Sequence, residues 1–460
     1  GKAAVYPTNT GNNQIASEKD NPIDYSIFNI NGRCFGARGA EEDGDRATIF
    51  NVKLDRVIEG KNPVRLNVPL VLPAIIKLNW RDYFSAAAMA GTVCVIGEGS
   101  PSKDPHVEYR NGKIVRFEML KEMLDAFNRY DRGYGQIVLQ CNVEDDAQGL
   151  AEYAITQCGA GAVEIKFGQS AKGTQPAVRL PSLEKAMAQK KNGLLVHPDP
   201  EDPAVAEAAK RGACPVFWSY NRLPMWTEES LTRRVRELRE LGARNVYFKM
   251  AGYDRRDIER VLRIASSAEA DMVTFDGAGG GSGYSPNRMM NEWGLPAVCI
   301  ENAVVGVCRQ LESEGKYIPF VTITGGFSGE DQVFKALAIG APYVKAVGLC
   351  RAAMAAAMVG DQVGRSLEEG SVPKHLQRFG GTREELFLEL GELRGLYGEA
   401  ADRIPPGAVG AYSYLKKIAF GLQHFAALNR KFDIGLLGPE DLIPLTEEAR
   451  RLLRGTWFEP

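Results

Sequence analysis

The stretch FVTITGGFSGEDQVFKALAIGAPYVKAVG (residues 320–348) contains two β-rich runs on either side of one helical pattern. The first run ends in the adjacent glycines Gly325 and Gly326, and the second ends in Gly348. Apolar strands that alternate with helices are typical of parallel strands covered by helices. The stretch therefore predicts a strand–helix–strand unit of a parallel sheet.

The same alternation occurs earlier in the chain. Six more β-rich runs lie at 68–75, 92–99, 135–141, 162–168, 245–250 and 271–277. Helical patterns lie between them, and several end with a glycine just past the last apolar position. With the two runs above, eight units predict an α/β protein with a (β/α)8 barrel.

Three regions depart from this alternation. Residues 1–66 are polar and rich in turn formers, so we expect an irregular N-terminal lead-in with short strands. Residues 194–226 form an excursion between the fourth and fifth strands. Residues 374–460 carry helical patterns, and we expect a C-terminal helical extension packed on the barrel, which itself spans 67–373.

The composition excludes several classes of partner. A net charge of −2 and a pI of about 6.3 give no electrostatic footprint for nucleic acid. No uninterrupted apolar run reaches the ~20 residues that a membrane span needs. The eight cysteines lie far apart and form no C-x-x-C pair, so we expect buried free thiols, a reducing compartment and a cytoplasmic protein.

The loops after strands seven and eight are candidates for binding a phosphate, because (β/α)8 barrels frequently hold one there. Gly325 and Gly326 follow strand seven, and the helix that begins near 328–330 adds its positive end. Gly348 ends strand eight, with Arg351 as a counter-charge. The alternative is that these glycines only close tight turns.

Charged residues at strand ends suggest an anionic ligand in the mouth of the barrel. Lys166 ends strand four, Lys249 ends strand five and Glu98 ends strand two. An ammonium group at an inward strand end is costly to desolvate without an anionic partner. The segment 164–181 adds Lys172 and Arg179, although a solvated basic loop is the alternative explanation.

The loop FDGAGGGSGYSP (275–286) follows strand six, and its bare backbone could pass under a flat ring or a carboxylate; a flexible loop is the alternative. The sequence carries no signal for a metal site or for a nucleophilic serine. The four histidines do not have metal-ligand spacing, and no G-x-S-x-G elbow is present. No Rossmann fingerprint for NAD(P)H occurs, so we expect electrons from a partner protein.

Four of these segments together resemble the FMN-binding synthase domain of the glutamate synthase family, over roughly residues 65–450. They are IGEGS (96–100), EIKFGQSAKG (164–173), FDGAGGGSGYSP and TGGF (324–327).

The resemblance implies an FMN-dependent oxidoreductase that reduces an imine formed from a 2-oxo acid, such as 2-oxoglutarate, and ammonia or an amine. It implies that Lys166 and Glu98 are catalytic. The implied substrate contacts are Lys172, Arg179, Gln169, Gly280 and Gly281. The implied FMN contacts are Ala74, Gln140, Lys249, Asp276, Gly277, Gly325, Gly326, Gly348 and Arg351.

The sequence also departs from the family pattern. Cys350 is the last cysteine, so the three thiolates that bind the family's iron–sulfur cluster are missing and we expect no cluster. The His-Asp of the family's glycine loop is replaced by Ala278 and Gly279, and a family Gln falls at or near Arg179. The 460 residues leave no room for the family's glutaminase domain, so we expect this domain to be absent and separate amidotransferase and electron-donor subunits to form an oligomeric assembly.

Two alternatives stay open at this point. The first is another FMN barrel enzyme, such as a 2-hydroxy-acid oxidase, which would need an active-site histidine at a strand end. The second is a flavin-binding subunit that relays electrons, or serves as a scaffold, in a larger complex.

Overall fold

The computed structural model describes residues 23–75, 79–169, 178–214, 216–280, 289 and 292–455. The strands of this part are β1 (Phe28–Ile30), β2 (Arg56–Ile58), β3 (Val64–Leu66), β4 (Leu70–Ile75), β5 (Val93–Ile96), β6 (Glu108–Arg110), β7 (Lys113–Arg116), β8 (Gln136–Cys141), β9 (Ala162–Lys166), β10 (Val178–Leu180), β11 (Leu195–His197), β12 (Phe217–Tyr220), β13 (Asn245–Ala251), β14 (Met272–Asp276), β15 (Phe320–Thr324), β16 (Val344–Gly348) and β17 (Leu442–Pro444).

The α-helices of the same part are α1 (Trp80–Ala90), α2 (Glu118–Asn128), α3 (Val143–Ala147), α4 (Leu150–Cys158), α5 (Leu183–Lys191), α6 (Pro203–Lys210), α7 (Glu228–Glu240), α8 (Arg255–Ser267), α9 (Ala297–Ser313), α10 (Glu330–Ile339), α11 (Arg351–Glu368), α12 (Lys374–Gln377), α13 (Arg383–Leu386), α14 (Leu390–Tyr397), α15 (Pro406–Leu428) and α16 (Glu447–Arg454).

Eight parallel strands close into a barrel in the order β4, β5, β8, β9, β13, β14, β15 and β16. The last strand pairs with the first through Val347 opposite Leu70 and Gly348 opposite Val71. Each of the eight predicted runs overlaps one of these strands, and β13 continues one residue beyond its run, so the predicted (β/α)8 fold is confirmed.

Alternation along the strands sorts their side chains into an inner and an outer layer, because successive residues point to opposite faces. In β4, Leu70 and Leu72 belong to the large core under the helices, whereas Val71 belongs to a smaller cluster inside the barrel. Tyr247 and Phe320 belong to the same inner cluster. The lower half of the barrel is therefore filled by apolar side chains.

The hairpin of β2 and β3 closes the lower end of the barrel. These strands pair antiparallel, and Ile58, Val64 and Leu66 are buried in the same cluster as the inward-facing Val71 and Val93. The space that a ligand can enter is therefore at the carboxyl ends of the strands, as is usual for this fold.

The segments outside the barrel pack on it or extend from it. In the lead-in, β1 pairs antiparallel with β17 of the C-terminal extension. In the extension, α15 crosses α11 closely: a Cβ atom on Gly360 would lie 2.6 Å from the carbonyl oxygen of Pro406. Between β9 and β13, the excursion is longer than the predicted residues 194–226, because an antiparallel sheet in the order β10, β12 and β11 joins it to β10. The excursion therefore comprises residues 178–226.

All eight cysteines are free, but they are not uniformly buried. Cys94, Cys141, Cys299 and Cys308 are buried, whereas Cys34 is exposed. The expectation of buried thiols is therefore wrong for Cys34, which lies in the lead-in rather than in a barrel strand. Among the described helices, none is both long enough and apolar enough to cross a membrane.

Candidate functional site

The upper half of the barrel interior is polar. The alternation that places Tyr247 inside also directs Lys249 inward, and likewise Glu164 and Lys166 follow the inward-facing Ala162. Lys166 and Lys249 lie opposite each other in the pairing of β9 and β13. Two buried ammonium groups therefore lie side by side at the carboxyl ends of adjacent strands.

A cavity of about 270 Å³ opens above this layer, near the lower end of the ~300–1,000 Å³ typical of ligand sites. Ten of the predicted site residues line it, namely Ala74, Gln140, Gln169, Lys249, Asp276, Gly280, Gly325, Gly326, Gly348 and Arg351. The structure also adds lining residues that the sequence did not point to: Pro73, Thr324, Phe327, Ser328, Cys350 and Ala352.

Lys249 gives the cavity a buried positive charge. The residue is only 4% exposed and lines the cavity. Among the described residues, no carboxylate forms an ion pair with its ammonium group. Because an unpaired buried charge is costly, this position favours a ligand that brings negative charge to Lys249.

Gln140 and Glu164 form a buried polar pair beside Lys249. The Gln140 Nε2 group donates to Glu164 Oε1 at 2.6 Å. Burial raises the pKa of Glu164, while the charge of Lys249 and the hydrogen bond from Gln140 oppose that rise. Gln140 Oε1 is buried with no hydrogen-bond partner in the described part of the chain, so it can accept from a ligand N–H group.

The loop after β15 approaches the loop after β14 backbone to backbone. Gly325 and Gly326 have φ angles of +119° and +92°, which only glycine adopts without strain. A Cβ atom on Gly325 would lie 2.7 Å from the backbone nitrogen of Gly277. The double glycine therefore permits this close approach and also forms part of the cavity wall.

Two helices begin beside these loops, and they differ in whether a side chain accepts hydrogen bonds from their first backbone N–H groups. The N–H groups of Ser328 and Gly329, before α10, already donate to Gln332 Oε1. At the start of α11, by contrast, the N-cap residue Cys350 accepts no side-chain capping bond. The start of α11 therefore has no side-chain cap, and its first two residues, Arg351 and Ala352, line the cavity.

Lys166 forms the centre of a second polar group near the cavity. Its side chain is 1% exposed and makes a short ion pair with Glu98, which follows β5. Its ammonium group also donates to Gln169 Oε1 at 3.0 Å, and Gln169 in turn lines the cavity. The structure thus brings together Lys166 and Glu98, the two residues predicted to be catalytic, although the pair itself lies behind Gln169.

The remaining predicted site residues either are not among the residues that line the cavity or lie outside the described part of the chain. Gly277 lies under the double glycine, where its N–H donates to the carbonyl of Thr324 at 2.8 Å. Arg179 lies on β10 and is exposed, and it is not among the cavity-lining residues. Lys172 and Gly281 lie outside the described residues. Substrate binding by these last three stays a prediction.

The excursion is fastened to the barrel mouth by a buried carboxylate. Glu144, on α3, accepts from the backbone nitrogen of Arg222 at 2.7 Å and from its guanidinium at 2.6 Å. Glu144 is buried, and Arg222 lies two residues after β12, the last strand of the excursion sheet along the chain. This contact therefore anchors one end of the segment beside the mouth.

We expect Glu144→Gln to loosen the excursion without unfolding the barrel. The change removes a charge-assisted hydrogen bond that contributes about 1.5–3 kcal/mol. Amide hydrogen exchange over residues 178–226 should become roughly 10-fold faster or more. Lys190→Met is the control, because it removes only the exposed ion pairs with Asp199 and Glu201. Equal exchange rates in Glu144→Gln and wild type would show that the anchor lies elsewhere.

Comparison with known proteins agrees with the resemblance seen in the loops. Residues 221–360 match the family model described as the conserved region in glutamate synthase. This part of the chain is therefore similar to the glutamate synthases. A glutamate synthase large subunit-like protein of Rhizobium meliloti is 29% identical over 286 residues, which cover 55% of each chain. An archaeal glutamate synthase [NADPH] of Methanocaldococcus jannaschii is 31% identical over 42% of this chain and 37% of its own. The chain thus spans about half, or less, of the length of these two curated proteins.

The solved structures that match the chain have lower sequence identity to it than these curated proteins. A mutant flavocytochrome b2 with pyruvate bound is 14% identical, with a TM-score of 0.48 over 91% of this chain and 76% of that one. A monotopic (S)-mandelate dehydrogenase is 15% identical, with a TM-score of 0.47 over 91% and 89% of the two chains.

Proposed function

We propose that this protein is an FMN-dependent oxidoreductase that reduces an imine formed from a 2-oxo acid, such as 2-oxoglutarate, and ammonia or an amine. The observation that carries the proposal is the position of Lys249. Its buried ammonium group lines a cavity at the carboxyl ends of the strands and has no described carboxylate partner.

The residues that line the cavity are suited to bind FMN at the pyrimidine edge of its ring and at its phosphate. Lys249 would lie at the pyrimidine edge of the flavin, where a cation stabilises the negative charge of the reduced ring. Gln140 Oε1, which lacks a described partner, would accept from a ring N–H group. The phosphate would lie at Gly326 and at the uncapped start of α11.

Arg351 links the two walls of the proposed phosphate site. Its guanidinium donates to the carbonyl oxygen of Gly279 at 3.0 Å, which joins the loop after β16 to the loop after β14. A positive charge held in this place would complement a phosphate dianion. The site therefore has charge and backbone donors on the same side, opposite Lys166.

The second polar group suits an acidic substrate. Lys166 would bind a carboxylate of the 2-oxo acid or donate a proton to its keto oxygen, and Glu98 would hold the lysine in place. Gln169 lies between this pair and the cavity, so it would contact both lysine and substrate. FMN, when bound and reduced, supplies the hydride that converts the imine to an amine.

The names of the relatives favour this reaction over oxidation of a 2-hydroxy acid. Both relatives described above are glutamate synthases or like them. The described residues that line the cavity include no histidine, the usual base in hydroxy-acid oxidases. His197 is instead exposed on β11 of the excursion. Electrons and ammonia would come from separate donor and amidotransferase subunits.

Anaerobic single turnover tests the proposed reaction. Protein loaded with FMN and reduced chemically is mixed with 2-oxoglutarate together with ammonia or methylamine. We expect the absorbance of oxidised flavin to return only when both reactants are present, and mass spectrometry to detect glutamate or its N-methyl derivative.

The control reactions separate catalysis from electron relay. Omitting the amine tests whether an imine is needed, and an artificial electron acceptor tests whether the reduced flavin is accessible. If the acceptor reoxidises the flavin but no combination of 2-oxo acid and amine does so, the proposed reaction is wrong. The electron-relay alternative would then account for the cavity.

A further inference from the structure

A buried carboxyl group lies directly behind the pair of Lys166 and Glu98. Asp145, on α3, is 1% exposed. Its Oδ2 atom accepts from the backbone nitrogen of Gly99 at 2.9 Å and from that of Asn142 at 3.1 Å. Because Gly99 directly follows Glu98, Asp145 fixes the loop that carries the partner of Lys166.

The surroundings of Asp145 disfavour its charged form. Burial raises the pKa of Asp145 to about 7, and the charge of Glu98 adds to the rise. The two backbone N–H groups and the charge of Lys166 act in the opposite direction. The carboxyl group therefore exchanges a proton near neutral pH, as part of a coupled set with its two charged neighbours.

Three other titratable groups lie near Asp145. On its own helix, Glu144 is paired with Arg222. On β6, burial raises the pKa of Tyr109 to about 12. On β8, burial raises the pKa of Cys141 well above its ordinary value. The raised pKa values keep Tyr109 and Cys141 neutral near pH 7, whereas the protonation of Asp145 changes the net charge behind Lys166.

We propose that Asp145 is a positioning residue that couples binding of an acidic substrate at Lys166 to the uptake of a proton. This inference rests on the proposed function, and it adds proton linkage to the substrate site. With Asp145 protonated, the set of Asp145, Glu98 and Lys166 carries no net charge. With Asp145 ionised, the set is negative and repels a substrate that is itself a dianion in this pH range.

Titration of FMN-loaded protein with 2-oxoglutarate, between about pH 6 and pH 9, tests the proposal. If only the protonated form binds well, the apparent affinity of wild type should fall about tenfold for each pH unit above about 7. Calorimetry in buffers of different ionisation enthalpy should show proton uptake on binding.

Asp145→Asn separates charge from loop geometry. Its amide oxygen can accept from Gly99 and Asn142, as Oδ2 of Asp145 does, but the residue cannot take up a proton. We therefore expect this variant to bind 2-oxoglutarate with an affinity that is independent of pH and without proton uptake. Asp104→Asn is the matched control, because Asp104 is also buried and accepts from the backbone of His106 and Met119. This control should retain the wild-type dependence on pH.

The possible outcomes separate this inference from the proposed function. Binding in wild type without pH dependence or proton uptake would overturn the role of Asp145 and leave the proposed function intact. The same holds if Asp145→Asn keeps the wild-type pH dependence. If neither 2-oxoglutarate nor another dicarboxylate binds at any pH, both proposals are wrong. If the Asn variant fails to load FMN, the calorimetry on wild type alone decides.

Discussion

Gly326→Asp is expected to abolish FMN binding while the barrel remains folded. A carboxylate at this position would face the phosphate of FMN, and two like charges about 4 Å apart repel by ~4 kcal/mol at an effective dielectric constant of 20. The φ angle of +92° adds strain for any residue with a Cβ atom. Together these costs predict a loss of affinity of at least about a thousandfold.

Gly326→Asn is the matched control for this experiment. It has nearly the same size and meets the same backbone strain, but it carries no charge. We expect the Asn variant to bind FMN weakly and the Asp variant to show no measurable binding by fluorescence titration, with circular dichroism reporting the fold of each. Similar affinities for Gly326→Asp and wild type would show that the phosphate lies elsewhere.

Lys166→Met should weaken the binding of 2-oxoglutarate while the protein retains FMN. Loss of a hydrogen bond to a charged group costs about 1.5–3 kcal/mol, which corresponds to roughly 10- to 150-fold weaker binding. The FMN phosphate would lie on the opposite side, at β15 and β16, so its affinity should change little. Perturbation of the oxidised flavin spectrum by 2-oxoglutarate measures the effect.

The variant also breaks the buried ion pair between Lys166 and Glu98, and breaking such a pair costs about 3–5 kcal/mol of stability. The double variant Lys166→Met with Glu98→Gln removes both charges and should recover most of that stability. It should nevertheless bind 2-oxoglutarate as weakly as the single variant. If the double variant binds as tightly as wild type, the lysine serves only to neutralise Glu98.

The barrel could be predicted from the sequence because its strands are nearly continuous apolar runs separated by amphipathic helices. The run from 320 to 324 is an example, since all five of its residues are buried. Short strands such as β6 and β10 carry no comparable signal, because each has three residues and is largely exposed. Their pairing depends on contacts distant in sequence, which local patterns do not reveal.

The site could be predicted where a residue type is unusual for its position. Lys249 and the double glycine stand out because an inward ammonium group and adjacent glycines both need a reason. Glu164 could have been found by the same alternation, because it lies two residues before Lys166 and shares its inward face. Asp145 could not, since its importance arises from Gly99, which approaches it only in the folded chain.

The position of Arg179 could not be predicted from the sequence. A basic residue near the predicted mouth suggested contact with substrate, but the side chain belongs to an exposed strand of the excursion. Sequence distance from Lys166 does not reveal that the chain leaves the barrel before it reaches Arg179. Whether the excursion approaches substrate depends on its anchoring through Glu144, which the hydrogen-exchange experiment addresses.

Binding of FMN is the claim on which the account depends most directly. Apoprotein titrated with FMN should take up a single equivalent per chain, with quenching of the free flavin fluorescence and a yellow protein after gel filtration. The metal assay of the same sample should show no iron, because no cysteine follows Cys350. A colourless protein that takes up no added FMN would contradict the central claim.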